Sequence, residues 1–145
     1  MKIQRIDHVG VIVNDLTAAK EFFLDFGLEL LGEGEVGGEW VERIIGFKDV
    51  RETIVMFGMP DGQATLELIK FHSPLDEKGI QPSFSNTLGI QHIAFAVEDI
   101  ESIVAKLKEK GTKLFGEIQN YENIYKLCYV RGPEGIILEL AEKIG

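Results

Sequence analysis

Ile6–Leu16 reads IDHVGVIVNDL, and Ile90–Ile100 reads IQHIAFAVEDI. At an offset of 84, the Ile, His, Val and Asp of the two stretches coincide, and most other pairs match apolar with apolar. The same offset carries Gly27 onto Gly111, Leu30 onto Leu114 and Gly32 onto Gly116. Further on, Pro60-Asp61-Gly62 with Leu66-Glu67-Leu68 matches Pro133-Glu134-Gly135 with Leu138-Glu139-Leu140, at an offset near 72. The first copy therefore carries an insertion of roughly a dozen residues. Two units are too few for a solenoid, which buries its core only by stacking three or more. The repeat describes a duplicated module, spanning about 1–72 and 88–145 of a single domain.

Each copy reads in the same order. An alternating strand comes first, at Arg5–Val13 and Ile90–Val97. Asp15 or Asp99 stands as an acidic N-cap, and a helix of about 11 residues follows. Leu16, Ala19, Phe22, Phe23 and Phe26 form the apolar stripe of the first helix; Ile100, Ile103, Val104 and Leu107 form that of the second. Gly27 and Gly111 occupy C-cap positions. Three strands follow in each half, around Glu29–Gly32, Thr53–Gly58 and Ala64–Phe71, then Lys113–Glu117, Tyr125–Val130 and Ile136–Ala141. The PDG and PEG segments read as turns between the last two. The fold class is α+β, with two βαβββ modules forming curved mixed sheets around a central cavity.

The repeat also pairs chemistry. Side chains alternate faces along a strand. Val9, Val11 and Val13 make one bulky face of the first strand and leave His8, Gly10 and Ile12 on the other. Ile93, Phe95 and Val97 likewise leave His92, Ala94 and Ala96. Leu66 and Leu68 bracket Glu67 as Leu138 and Leu140 bracket Glu139. Each half thus presents one His and one Glu away from its helix, beside small residues. Two imidazoles and two carboxylates, with no thiolate, suit a divalent cation such as Zn, Ni, Co or Mn. Such a cation would act as a Lewis acid while a carboxylate moves a proton.

Composition narrows the partners. The chain has 145 residues, 45% hydrophobic and 27% charged, enough for a core and a soluble surface. Fifteen Lys and Arg against 24 Asp and Glu give a net charge of −9, which disfavours nucleic acid and anionic membranes. Cys128 is the one cysteine, so no intrachain disulfide forms. Met1–Gly10 has no apolar leader pattern, and no apolar run reaches the roughly 20 residues of a membrane span. A cytoplasmic location is expected. Other positions are less telling. His72 falls past a strand end and reads as a surface residue, and Cys128 reads as an inert, half-buried thiol. Gly34–Gly38 reads as a flexible loop. Trp40 either lines a pocket mouth or packs. Asn120–Lys126, with Tyr121 and Tyr125, suits a substrate-facing loop or a solvated hairpin.

Paired βαβββ modules opened by IDHVGVIVNDL and IQHIAFAVEDI, with the terminal RGPEGIILEL, resemble the vicinal oxygen chelate superfamily. That group includes glyoxalase I, methylmalonyl-CoA epimerase, fosfomycin-resistance enzymes, extradiol dioxygenases and bleomycin-binding proteins. The resemblance covers nearly the whole chain and implies two sheets enclosing a metal held by His8, Glu67, His92 and Glu139. Glyoxalase I and the epimerase fill all four positions in this way, whereas dioxygenases and fosfomycin enzymes lack the counterpart of Glu67. The resemblance implies that Glu139 is both ligand and catalytic base, with Glu67 addressing the opposite face of the substrate. It also implies a homodimer acting on a small molecule. A glyoxalase-type lyase or isomerase acting on a thiol adduct is the leading expectation. Epimerisation of an acyl-CoA is the alternative, and drug-sequestering binding without chemistry the third.

Overall fold

The computed structural model describes residues 1–145, which form two compact units, Met1–Ile80 and Gln81–Gly145. Each holds a four-stranded mixed sheet with a helix, so the α+β class and the duplicated module are both present. No helix is long and apolar enough to cross a membrane.

In the first unit, β1 (His8–Ile12), β2 (Glu29–Gly37), β3 (Arg51–Gly58) and β4 (Thr65–Ser73) lie in the order β1-β4-β3-β2. β1 runs parallel to β4, and the other neighbours are antiparallel. Helix α1 (Leu16–Phe26) starts where Asp15 Oδ1 accepts a hydrogen bond from the Ala18 amide at 3.0 Å, and ends at Gly27 in the left-handed region (φ 108°). Its apolar stripe buries Ala19 and Phe23 completely, and the Phe23 ring lies 6.0 Å from that of Phe57. Val55 and Phe57 stand opposite Leu68 and Leu66 across β3 and β4, and all four are buried. Burying side chains of this size stabilises the unit by roughly 1.5–3 kcal/mol each.

In the second unit, β5 (His92–Ala96), β6 (Gln119–Tyr121), β7 (Tyr125–Arg131) and β8 (Ile137–Lys143) repeat that order as β5-β8-β7-β6. β5 is again parallel to β8. Helix α3 (Ile100–Glu109) buries Ile100, Val104 and Leu107; Val130, Leu138 and Leu140 of the sheet are fully buried. Pro133–Gly135 forms a single 3-10 turn between β7 and β8.

Several expectations are corrected. The opening strands are shorter than Arg5–Val13 and Ile90–Val97, because β1 and β5 extend only as far as β4 and β8 pair with them. Gly34–Gly38 is not a flexible loop. β3 pairs with β2 as far as Gly37, and a short helix α2 (Glu39–Ile45) follows that the sequence reading had not anticipated. A Cβ at Gly37 would sit 2.8 Å from the Val50 carbonyl oxygen, so glycine there permits a close backbone approach rather than looseness. Gly38 turns the chain into α2 with φ 99°. The strand expected at Lys113–Glu117 shrinks to one bridge, Leu114 to Val130, and the true strand is β6 further on. Its counterpart β2 absorbs a register shift between Leu30 and Gly32 and stays continuous; the second copy breaks there.

Two caps also differ. Asp99 does occupy the N-cap position of α3, but its side chain makes no capping bond. Glu142 of β8 accepts from the Asp99 and Ile100 amides at 3.1 and 3.0 Å instead. The C-cap is Lys110, and Gly111 follows it with φ 86°. His72 lies inside β4 rather than past its end, exposed, with its Nε2 2.7 Å from Thr53 Oγ1.

Candidate metal and proton-transfer site

Register decides which side chains share a face. In the first unit Gly10 pairs with Glu67, and Glu67 pairs with Met56. In the second Ala94 pairs with Glu139, and Glu139 with Tyr129. Partners in register project to the same side of a sheet. His8 and His92 each lie two residues before the small partner, so each His shares a face with its Glu. The helices take the opposite face through Leu66, Leu68, Leu138 and Leu140, all buried.

The side chains meet accordingly. His8 Nε2 lies 3.8 Å from Glu67 Oε2, and His92 Nε2 lies 3.2 Å from Glu139 Oε1. Both imidazoles are partly exposed, and both carboxylates are mostly covered. Within each unit the candidate ligands stand as one pair, and no cluster of three or more His, Cys, Asp or Glu gathers to hold a metal.

The two histidines are turned by different groups. His8 Nδ1 lies 2.8 Å from Asp7 Oδ2. An ionised carboxylate only accepts, so the ring proton belongs on Nδ1, and Nε2 is directed at Glu67. That bond to Asp7, reinforced by the charges of Glu67 and Asp7, raises the His8 pKa above its ordinary value. It holds the Asp7 carboxyl low in return. At the matching position of the second copy stands Gln91, whose Oε1 is buried without a partner. There the Tyr129 hydroxyl lies 3.5 Å from His92 Nδ1, and the two rings tilt together at 5.0 Å.

Other residues on these faces escaped the sequence reading. Glu52, two positions before Ile54 and four before Met56, shares the face of Glu67; burial and then the Glu67 charge push its carboxyl up. Asp7, Tyr129 and Arg131 were missed as well. The alternation in YKLCYVR carried the signal for two of these: Cys128 and Val130 are buried, so Tyr125, Leu127, Tyr129 and Arg131 must face the other way. Cys128 is buried more deeply than expected, and burial followed by the Glu139 charge raises its thiol.

Among the weaker candidates, Tyr121 and Tyr125 stand opposite each other across β6 and β7. Tyr125 also pairs with Lys143, four residues beyond Glu139 and on the same face. The segment between them is a tight hairpin, with Glu122 and Asn123 both at positive φ. Trp40 is exposed on α2. That helix follows the end of β2 where Gly37 pairs with Arg51, five residues along β3 from Met56. At the rise of a strand this is roughly 17 Å from the row that holds Glu67.

A duplicated βαβββ unit with one His–Glu pair per copy defines a class that comparison with known proteins identifies. Residues 5–140 match the Glyoxalase/Bleomycin resistance protein/Dioxygenase superfamily, and the chain belongs to it. A solved glyoxalase family protein from Bacillus cereus is 40% identical over the whole chain and 97% of its own, with a TM-score of 0.91. The uncharacterised protein YwbC of Bacillus subtilis is 29% identical over 97% of this chain and 98% of its own length. The trypanothione-dependent glyoxalase I of Leishmania major shares the fold at 20% identity and a TM-score of 0.67, over 97% of this chain and 87% of its own.

Proposed function

We propose that this chain is a metal-dependent glyoxalase-type lyase or isomerase, moving a proton alpha to a carbonyl of a thiol adduct. The observation that carries the reading is the duplicated pair: Nε2 of His8 and of His92 each directed at a carboxylate. Two imidazole nitrogens and two carboxylates form a donor set that fits a borderline divalent cation such as Zn, Ni, Co or Mn. His8, Glu67, His92 and Glu139 would hold it. When bound, the cation supplies Lewis acidity toward adjacent substrate oxygens.

The remaining work falls to side chains. Glu139 is the base that takes the proton and returns it at the neighbouring carbon, since its carboxylate is mostly covered yet flanked by small Ala94 on an open face. Glu67 holds the corresponding position in the first copy and addresses the other face of the substrate. Asp7 keeps His8 oriented, as outer carboxylates do for ligating imidazoles.

Elemental analysis of purified protein, with His92→Ala and Glu139→Gln alongside, tests this. Near-stoichiometric metal that is lost in His92→Ala, and turnover of methylglyoxal–thiol adducts that is lost in folded Glu139→Gln, is the expected result. Acyl-CoA epimers belong in the same substrate panel, because turnover of those alone would reassign the reaction to epimerisation. Absence of metal after incubation with all four cations would overturn the enzyme reading in favour of simple binding.

A further inference from the structure

We propose that Arg131 is the substrate-anion receptor of the His92–Glu139 face, so that the substrate carries a carboxylate some way from its reacting carbons. This rests on the lyase reading above and deepens it by naming a substrate class.

Arg131 closes β7 opposite Ile137, and Ile137 stands opposite His92. The three form one row across the sheet on the face of Glu139. Two strand spacings, roughly 10 Å, separate the backbone of Arg131 from that of His92. The guanidinium is fixed rather than free. Its carbon lies 4.3 Å from the centre of the Phe115 ring, and Nη1 donates to the Gly135 carbonyl at 2.9 Å. Phe115 packs edge-on against Tyr129 at 5.9 Å, and Tyr129 lies 5.0 Å from His92. A continuous run of ring contacts therefore ties the cation to the candidate ligand.

Both partners of the guanidinium are uncharged, so neither neutralises it. A guanidinium offers five donors in a rigid fork, and the Gly135 carbonyl occupies one. A stacked, half-buried arginine with unspent donors is preorganised for bidentate binding of a carboxylate. Net charge sharpens the point. At −9 the chain as a whole repels anions, and an anionic substrate would need a fixed cation at the site.

The test compares hemithioacetals of methylglyoxal with 3-mercaptopropionate and with its amide, which differ only in that charge. The native protein should favour the acid about tenfold to a hundredfold in kcat/KM, mainly through KM. Arg131→Gln should bring the ratio near one, while Lys126→Gln, which removes a positive charge elsewhere on β7, should not. If Arg131→Gln does not fold, Phe115→Leu, which releases the guanidinium from its ring, should reduce the preference instead. A second readout needs no turnover: in metal-free protein, succinate should shift the Arg131 Nε–Hε resonance and succinamide should not. A silent resonance, or equal use of acid and amide by native protein, overturns the proposal. A succinate shift without turnover of either adduct leaves the anion site standing and overturns the lyase reading.

Discussion

Ala94 lies in register with Glu139 across the parallel β5–β8 pair, and its side chain is exposed beside the carboxylate. A small residue there keeps the space between His92 and Glu139 open. Ala94→Leu should fold normally, within about 0.5 kcal/mol of the native stability, because no core contact changes. It should nevertheless lower metal uptake at least tenfold, on the order of 1.4 kcal/mol, by crowding the pair. Thermal melts and elemental analysis of one preparation check both halves.

The two helix N-termini make opposite predictions from the same residue type. Asp15 caps α1 with its own side chain, so Asp15→Ala should cost about 1 kcal/mol. Asp99 sits at φ 53° and caps nothing, so Asp99→Gly should be neutral or slightly stabilising. Glu142→Ala should instead cost α3 about 1 kcal/mol by freeing two amides. Denaturant midpoints of the three variants decide the matter.

These caps show where the sequence was legible. The repeat revealed the strand and helix order and the His–Glu pairs, because alternation and duplication are local patterns. Which group caps α3 was hidden, since Glu142 lies 42 residues from Ile100 and reaches it only through the β5–β8 pairing. The second half of β2 was hidden for a different reason. GEVGG has the composition of a loop, yet pairing with β3 holds it extended and Gly37 lets the backbone of Val50 come close. Alternation in YKLCYVR puts Tyr129 and Arg131 on one face, and the β7–β8 register adds that this is the face of Glu139.

Cys128 gives a pH-dependent prediction. Burial, then the charge of Glu139, raises its thiol above the ordinary value, so the folded chain holds that proton more tightly than the unfolded one. The stability this contributes is complete below the unfolded thiol pKa, about 8.5, and is lost as pH climbs through the higher folded value. Stability should therefore fall at alkaline pH, and Cys128→Ala should flatten that fall. Alkylation of native protein at pH 8 should be slow and should accelerate on addition of denaturant, read by mass spectrometry.

The imidazoles should also differ in how firmly they are held. Asp7 grips His8 Nδ1 with a charged acceptor at 2.8 Å, whereas the Tyr129 hydroxyl stands 3.5 Å from His92 Nδ1. Removing an outer carboxylate of this kind typically weakens a metal site by about 10- to 100-fold. Asp7→Ala should fall in that range, and Tyr129→Phe should weaken binding less, because its hydroxyl sits at the limit of hydrogen-bond distance. Competition with a chromophoric chelator, one cation at a time, measures both. Equal losses would mean that the Tyr129 ring, which Phe preserves, is not what orients His92, and that its hydroxyl matters as much as the Asp7 carboxylate. No loss in Asp7→Ala would remove His8 from the ligand set.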